Sequence, residues 1–205
     1  MATRRRTRAL PKDPRQRLIA AALALAVEKG WRRIAMADIA AAAGVSLAET
    51  YRLFRSKFAL LAGFRRDIDQ AVLAGPAPST DESVRDRLFD VLMRRFEALK
   101  PHRAALKVIL RDSLGTPAPI KALPGLLRSM AWMLAAASIP TAGYRGRLTT
   151  RLVAALFLSI FPAFLRDESA DLGTTMAVLD RRLRQVETLV TSFGPIAARV
   201  GKSRT

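Results

Sequence analysis

Between residues 36 and 54 the apolar positions recur at helical spacing in two short blocks with a turn between them. In the first block Ile39 and Ala43 stand four apart and share one helical face. Gly44 then offers a backbone that accepts the left-handed conformation in which helices stop, and Val45 plugs the corner. Ser46 supplies an oxygen to cap a second helix over residues 47–54, whose members Leu47, Thr50, Tyr51 and Phe54 fall at i, i+3, i+4 and i+7. Two short helices joined in this way make a helix-turn-helix. In such a unit the second helix enters the major groove and the first lies across the backbone, so double-stranded DNA is the implied partner.

Helical periodicity continues on both sides. Asp13 caps a helix that Pro14 opens and that Lys29 and Gly30 close. Within it, Arg15 and Arg17 ahead of the apolar residues 18–27, with Ala24 and Ala26 near the end, imitate a secretory leader. The stretch reads instead as part of the fold, because cleavage after Ala26 would delete the helix on which the helix-turn-helix packs. Ser56 caps a fourth helix over residues 57–73, with Phe58, Leu61, Phe64, Ile68 and Leu73 mostly on one stripe. A Gly-Pro-Ala-Pro-Ser linker at 75–79 ends it. Ser79 or Thr80 then caps a helix carrying Val84, Leu88, Val91, Leu92 and Phe96 as far as Leu99, and another begins at Pro101 and runs to about Leu114. After a loop at 115–119, helices are predicted over 120–137, with Pro124 and Gly125 near the start, over 144–166 and over 172–191. No stretch alternates as a strand does, so the fold class is all-α, about nine helices in two unequal parts.

Charge sharpens this picture. The 205 residues carry a formal net charge of +18, unevenly spread. Residues 1–17 hold +6 and residues 18–62 hold +3. Residues 1–12, with Arg4, Arg5, Arg6 and Arg8 and no apolar periodicity, read as a disordered basic arm that folds onto DNA. A basic arm just ahead of a helix-turn-helix is the electrostatic footprint of phosphate binding, with released counterions supplying affinity. The absence of cysteine excludes disulfides and thiol chemistry, and the single histidine, His102, leaves no histidine cluster for a metal. No Ser/His/Asp, paired-carboxylate or phosphate-cradling glycine pattern surrounds His102, so neither an enzyme nor a cofactor is implied.

From residue 17 to residue 61 the chain resembles the N-terminal domain of TetR-family transcriptional repressors. Gly30 and Trp31, then Ile39-Ala40, Gly44-Val45-Ser46, Tyr51, Phe54 and Ser56-Lys57 all fall at that family's spacing. Two departures stand out: Ala35 replaces the usual Ser or Thr at the start of the second helix, and Leu47-Ala48-Glu49-Thr50 replaces a common Lys-Gly-Thr-Leu. The resemblance implies a TetR-like fold with the basic arm at 1–12, a DNA-binding domain at 13–62 and a helical ligand-binding and dimerisation domain at 63–205. It also implies that Ser46, Leu47, Ala48, Glu49, Thr50, Tyr51 and Arg52 face DNA, with Lys57 clamping the backbone. Arg52 can fork onto guanine or a phosphate, Tyr51 and Thr50 can reach phosphates, and Glu49 can accept from cytosine N4. A cytoplasmic repressor, homodimeric on a palindromic operator and released by a small apolar ligand, is the function this resemblance implies.

The second part supports two further expectations. Residues 152–165 form an apolar run interrupted only by Ser159 and Pro162, shorter than the roughly 20 residues of a bilayer span, so no transmembrane segment is expected. A helix apolar almost all round meets protein on every side. With a last helix apolar at Leu172, Met176, Leu179, Leu183, Val186 and Val190, it is expected to build a four-helix bundle across a dimer. Phe89, Met93, Phe96, Trp132, Met133, Phe157, Phe161 and Phe164 can line an apolar ligand pocket between helices. Finally, residues 166–187 resemble the end of COQ9-type proteins, which share the fold but bind isoprenoid lipids and assist ubiquinone biosynthesis. That likeness implies an alternative function as a lipid-binding accessory protein.

Overall fold

The computed structural model describes residues 13–79 and 81–200, with side chains described as far as residue 186. Among the described residues there are nine α-helices, one 3-10 turn and no strand, so the all-helical expectation holds. The chain folds as two compact units. The first comprises the residues up to Arg66 together with His102–Ala122, and the second Asp67–Pro101 together with Leu123 onwards. The division expected between 62 and 63 thus falls four residues ahead of the observed crossing, and residues 102–122 join the first unit.

In the first unit, α1 (Pro14–Lys29) starts where Asp13 accepts a hydrogen bond from the Arg15 amide at 3.0 Å and ends at Gly30, φ 85°. Its alanines let neighbours approach closely, and it packs against both α2 (Met36–Ala43) and α6 (Arg103–Ser113). Arg32 ties the loop after α1 to the end of α6: its Nε donates to the Asp112 carbonyl at 2.6 Å and its Nη2 to the Leu114 carbonyl at 3.0 Å. After Gly44 come α3 (Leu47–Leu53) and α4 (Lys57–Leu73), the latter opened by Ser56, whose Oγ accepts from the Ala59 amide. The buried row of α4 is Leu60, Phe64, Ile68 and Val72. Phe58 and Leu73, expected on the inner stripe, are exposed instead. Apolar residues occupy two overlapping rows of this helix, and packing against its neighbours decides which row is covered.

The second unit holds the end of α4, α5 (Val84–Leu99), most of α7 (Ala118–Ala136), α8 (Gly143–Arg166) and α9 (Gly173–Val200). A 3-10 turn, Lys100–His102, follows α5. The cap of α5 is Ser83, not Ser79: its Oγ accepts from the Asp86 amide and donates to the Asp86 carboxylate at 2.7 Å. Helix α7 begins at Ala118, earlier than expected, and runs through Pro124. Pro119 fits its first turn because the amides there need no partner.

Aromatic rings form the centre of this unit. Phe96 stacks on Phe157 at 5.0 Å and meets Phe164 at 5.1 Å, while Phe161 touches both Phe157 and Phe164. Beside them Arg95 donates to the Asp69 carboxylate at 2.5 Å, Ser129 donates to the same oxygen, and the Arg95 guanidinium stands 5.4 Å from the Phe157 ring. All three polar residues are buried. Asp167 closes the turn ahead of α9: burial raises its pKa, but hydrogen bonds from Ser169 and Thr175 outweigh that and hold it at about 2.

Helix α8 is longer than its apolar run suggested, and by length and composition it is long and apolar enough to cross a membrane. Eight of its residues, among them Val153, Phe157, Ile160 and Phe164, are nonetheless buried within the unit. On α9, Leu172 just before its start, Leu179 and Leu183 are buried, whereas Met176 and Val186 are exposed. At 100° per residue the latter two lie at opposite margins of the buried stripe. Val190 lies outside the residues whose side chains are described.

Candidate DNA-binding site

The site is built from local signals. Gly44 adopts φ 61°, ψ 39°, and the amides of Gly44 and Val45 return to carbonyls of α2, which stops that helix. Ala35 has no side-chain acceptor to cap α2, so Asp38 takes over part of that work by accepting from the Ala35 amide at 2.7 Å. Ser46 caps α3 as expected, its Oγ accepting from the Glu49 amide at 3.2 Å. Phe54 then anchors the far end of α3. It is buried under the Arg15 guanidinium, 5.9 Å from its ring, and it lies against Gly63. A Cβ at Gly63 would stand 2.7 Å from that ring, so only glycine permits the approach of α3 to α4.

Within α3 the expected stripe divides. Thr50 is fully buried and its hydroxyl donates to the Ser46 carbonyl at 2.9 Å, so it faces the interior and does not reach phosphate. Leu47 and Tyr51 are 59% and 64% exposed, although the spacing placed them with Thr50 and Phe54. The helical wheel does not separate them, since Leu47 at 0° lies only about 20° from Phe54 at 340°. Phe54 is held inward by its contacts with Arg15 and Gly63. The exposed residues of α3 are Leu47, Ala48, Tyr51, Arg52 and Leu53, with Glu49 half-buried. Arg55, outside the set expected from the sequence, stacks its guanidinium 5.9 Å from the Tyr51 ring. Its i, i+4 spacing from Tyr51 was the available signal.

Lys57 does not point away from the protein. Its ammonium donates to the carbonyls of Trp31 at 2.8 Å and Ile34 at 2.9 Å and sits 5.0 Å from the Trp31 ring, and burial lowers its pKa. It anchors the loop between α1 and α2 to the start of α4. Arg4, Arg5 and Arg6 lie outside the described residues.

The residues expected to line a ligand pocket fill the second unit. Met93, Phe96, Met133 and Phe157 are buried, Phe89 and Phe161 are half-buried, and Trp132 is 54% exposed. The rings of Phe96, Phe157 and Phe161 pack together with that of Phe164. A separate cavity of about 380 Å³ lies between residues 76–79 and α5, where Met93 meets Asp90, Arg94 and Glu97. Among the described residues no group of three His, Cys, Asp or Glu side chains is arranged to hold a metal ion.

Residues 18–63 match the family described as bacterial regulatory proteins, tetR family. No curated protein matches the sequence. Among solved structures, a TetR transcriptional regulator from Nitrosomonas europaea is 26% identical with a TM-score of 0.68, covering 84% of this chain and 98% of its own. A TetR transcriptional regulator from Rhodococcus sp. RHA1 is 24% identical with a TM-score of 0.62 over 84% and 94% of the two chains. NalD of Pseudomonas aeruginosa, the secondary repressor of the MexAB-OprM multidrug efflux pump, shares the fold at 19% identity and a TM-score of 0.56, over 85% and 97%. Residues 18–63 thus carry a tetR-family domain, and the turn at Gly44, the capped α3 and the all-helical fold agree with the TetR transcriptional regulators to which the chain is similar.

Proposed function

We propose that this regulator binds a palindromic DNA operator as a homodimer through α2 and α3, and that a small apolar ligand in its second unit releases it. The observation that carries the reading is the outer face of α3: a short helix, capped at Ser46 and anchored at Phe54, turns Leu47, Ala48, Tyr51 and Arg52 outward. A groove-reading helix needs this arrangement, with its anchoring residues behind and its reading residues in front. Ser46, capping with its oxygen, keeps its proton for a phosphate, and Arg55 beside Tyr51 extends the basic edge. Arg4, Arg5 and Arg6 add sequence-independent affinity from the arm.

Support for a dimer comes from α8. Tyr144, Leu148 and Leu152 recur four apart along one exposed row, an apolar surface that a second copy of α8 and α9 would cover as a four-helix bundle. Support for an apolar effector is compositional: the second unit is centred on phenylalanine and methionine. The deciding experiment is recovery of genomic fragments by the purified full-length protein, with its mass in solution measured alongside. One palindrome bound by a dimer is the expected result. Bound polyisoprenoid with no sequence-specific shift at low salt would replace this reading with the lipid-binding one.

A further inference from the structure

We infer that Leu47 is a specificity determinant that reads a thymine methyl group, so that each half-site requires a thymine at the step Leu47 faces. This rests on the operator reading above and names the base chemistry that the same site selects. Leu47 is the first residue of α3 and is 59% exposed, and Ala48 beside it is exposed as well. The N-terminal turn of a recognition helix is the part that meets base edges. Here that turn presents a branched apolar side chain and a methyl, neither of which can donate or accept a hydrogen bond. The major-groove edge of a base pair offers a matching apolar surface in one place, the C5-methyl of thymine.

Among the described residues Thr50, Phe54 and Val45 are buried on the inner side of the turn, whereas Leu47 remains 59% exposed. An exposed leucine at a helix N-terminus gains nothing from water, whereas a thymine methyl would cover it. The polar members of the face are placed for different tasks: Arg52 lies a turn further along and Tyr51 is engaged with Arg55. Discrimination by Leu47 is therefore separable from the phosphate contacts.

The test selects duplexes from a randomised pool with the full-length protein and then replaces each thymine of the selected duplex by uracil, which removes only the methyl. Burial of one methyl is worth roughly a fourfold change in affinity. The expected result is one thymine per half-site at which uracil weakens binding about fourfold, and about fifteenfold when both half-sites are changed. Leu47→Ala is expected to fold normally, since the side chain is exposed and alanine suits a helix. In that variant the uracil penalty should vanish at this thymine while the salt dependence stays the same. A selected duplex that is indifferent to every thymine methyl, or a Leu47→Ala protein that keeps the penalty, overturns the inference and leaves operator binding standing. Recovery of no preferred duplex overturns operator binding and this inference with it.

Discussion

Lys57 separates two roles that a lysine at this position can play, and Lys57→Met tells them apart. The ammonium makes two hydrogen bonds, to the carbonyls of Trp31 and Ile34, and lies over the Trp31 ring. A hydrogen bond to a charged group contributes about 1.5 to 3 kcal/mol when buried. Lys57 is only half-buried, so the pair of bonds is discounted to about 2 kcal/mol, with up to about 1 more from the ring. Methionine keeps the length and helix preference of the side chain and removes the charge. Urea unfolding followed by circular dichroism should therefore show Lys57→Met destabilised by about 2 to 3 kcal/mol. A phosphate contact would leave a different trace. Each neutralised phosphate contributes about 0.9 to the slope of log affinity against log salt, so losing one per half-site would lower the slope of a dimer by about 1.8. With the ammonium held by Trp31 and Ile34, the slope measured by fluorescence anisotropy between 50 and 200 mM salt is expected to stay where it was. A slope lowered by about 1.8 with stability unchanged would refute the anchoring role and return Lys57 to the DNA backbone.

Three further outcomes are expected. Asp69→Ala strips the partner from a buried guanidinium and should cost about 3 to 5 kcal/mol in urea unfolding, whereas Asp69→Leu combined with Arg95→Met should recover most of it. Asp167, held at about 2 against an ordinary 3.8, contributes stability that is fully present above 3.8 and is lost as pH falls through 2. Unfolding monitored from pH 5 down to pH 2 should show the wild type losing about 1 to 2 kcal/mol that Asp167→Asn, already less stable at pH 5, does not lose. Deleting residues 1–8 should lower the salt slope of operator binding by about 0.9 for each phosphate that the arm neutralises, and an unchanged slope would mean that it neutralises none.

Much of the candidate site was legible because its signals are local. Asp13, Gly44, Ser46 and Ser56 act on amides and carbonyls within five residues, so spacing alone identifies them. Helical periodicity likewise located α3, α4 and α8 to within a residue or two. Which face of each helix turned inward was a different matter. Leu47 and Tyr51 share a spacing with Thr50 and Phe54, yet the first pair is exposed and the second buried, because Gly63 and Arg15 receive Phe54 from far along the chain. On α4 the row through Leu60 and Phe64 prevailed over Phe58 for the same reason.

Charged residues were the least legible. Lys57 reaches carbonyls 26 and 23 residues away, Arg32 ties down the end of α6 80 and 82 residues away, and Arg95 pairs with Asp69 across 26. A basic side chain carries the same formal charge whether a phosphate or a carbonyl neutralises it, so composition counted Lys57 and Arg32 as part of the DNA footprint. Sequence alone determined the helix ends, the turn at Gly44 and the class of the fold, since these depend on bonds between near neighbours. Only the tertiary structure decided which side chains of α3 remain outside and which cations are spent inside, because those outcomes depend on residues brought together from distant parts of the chain.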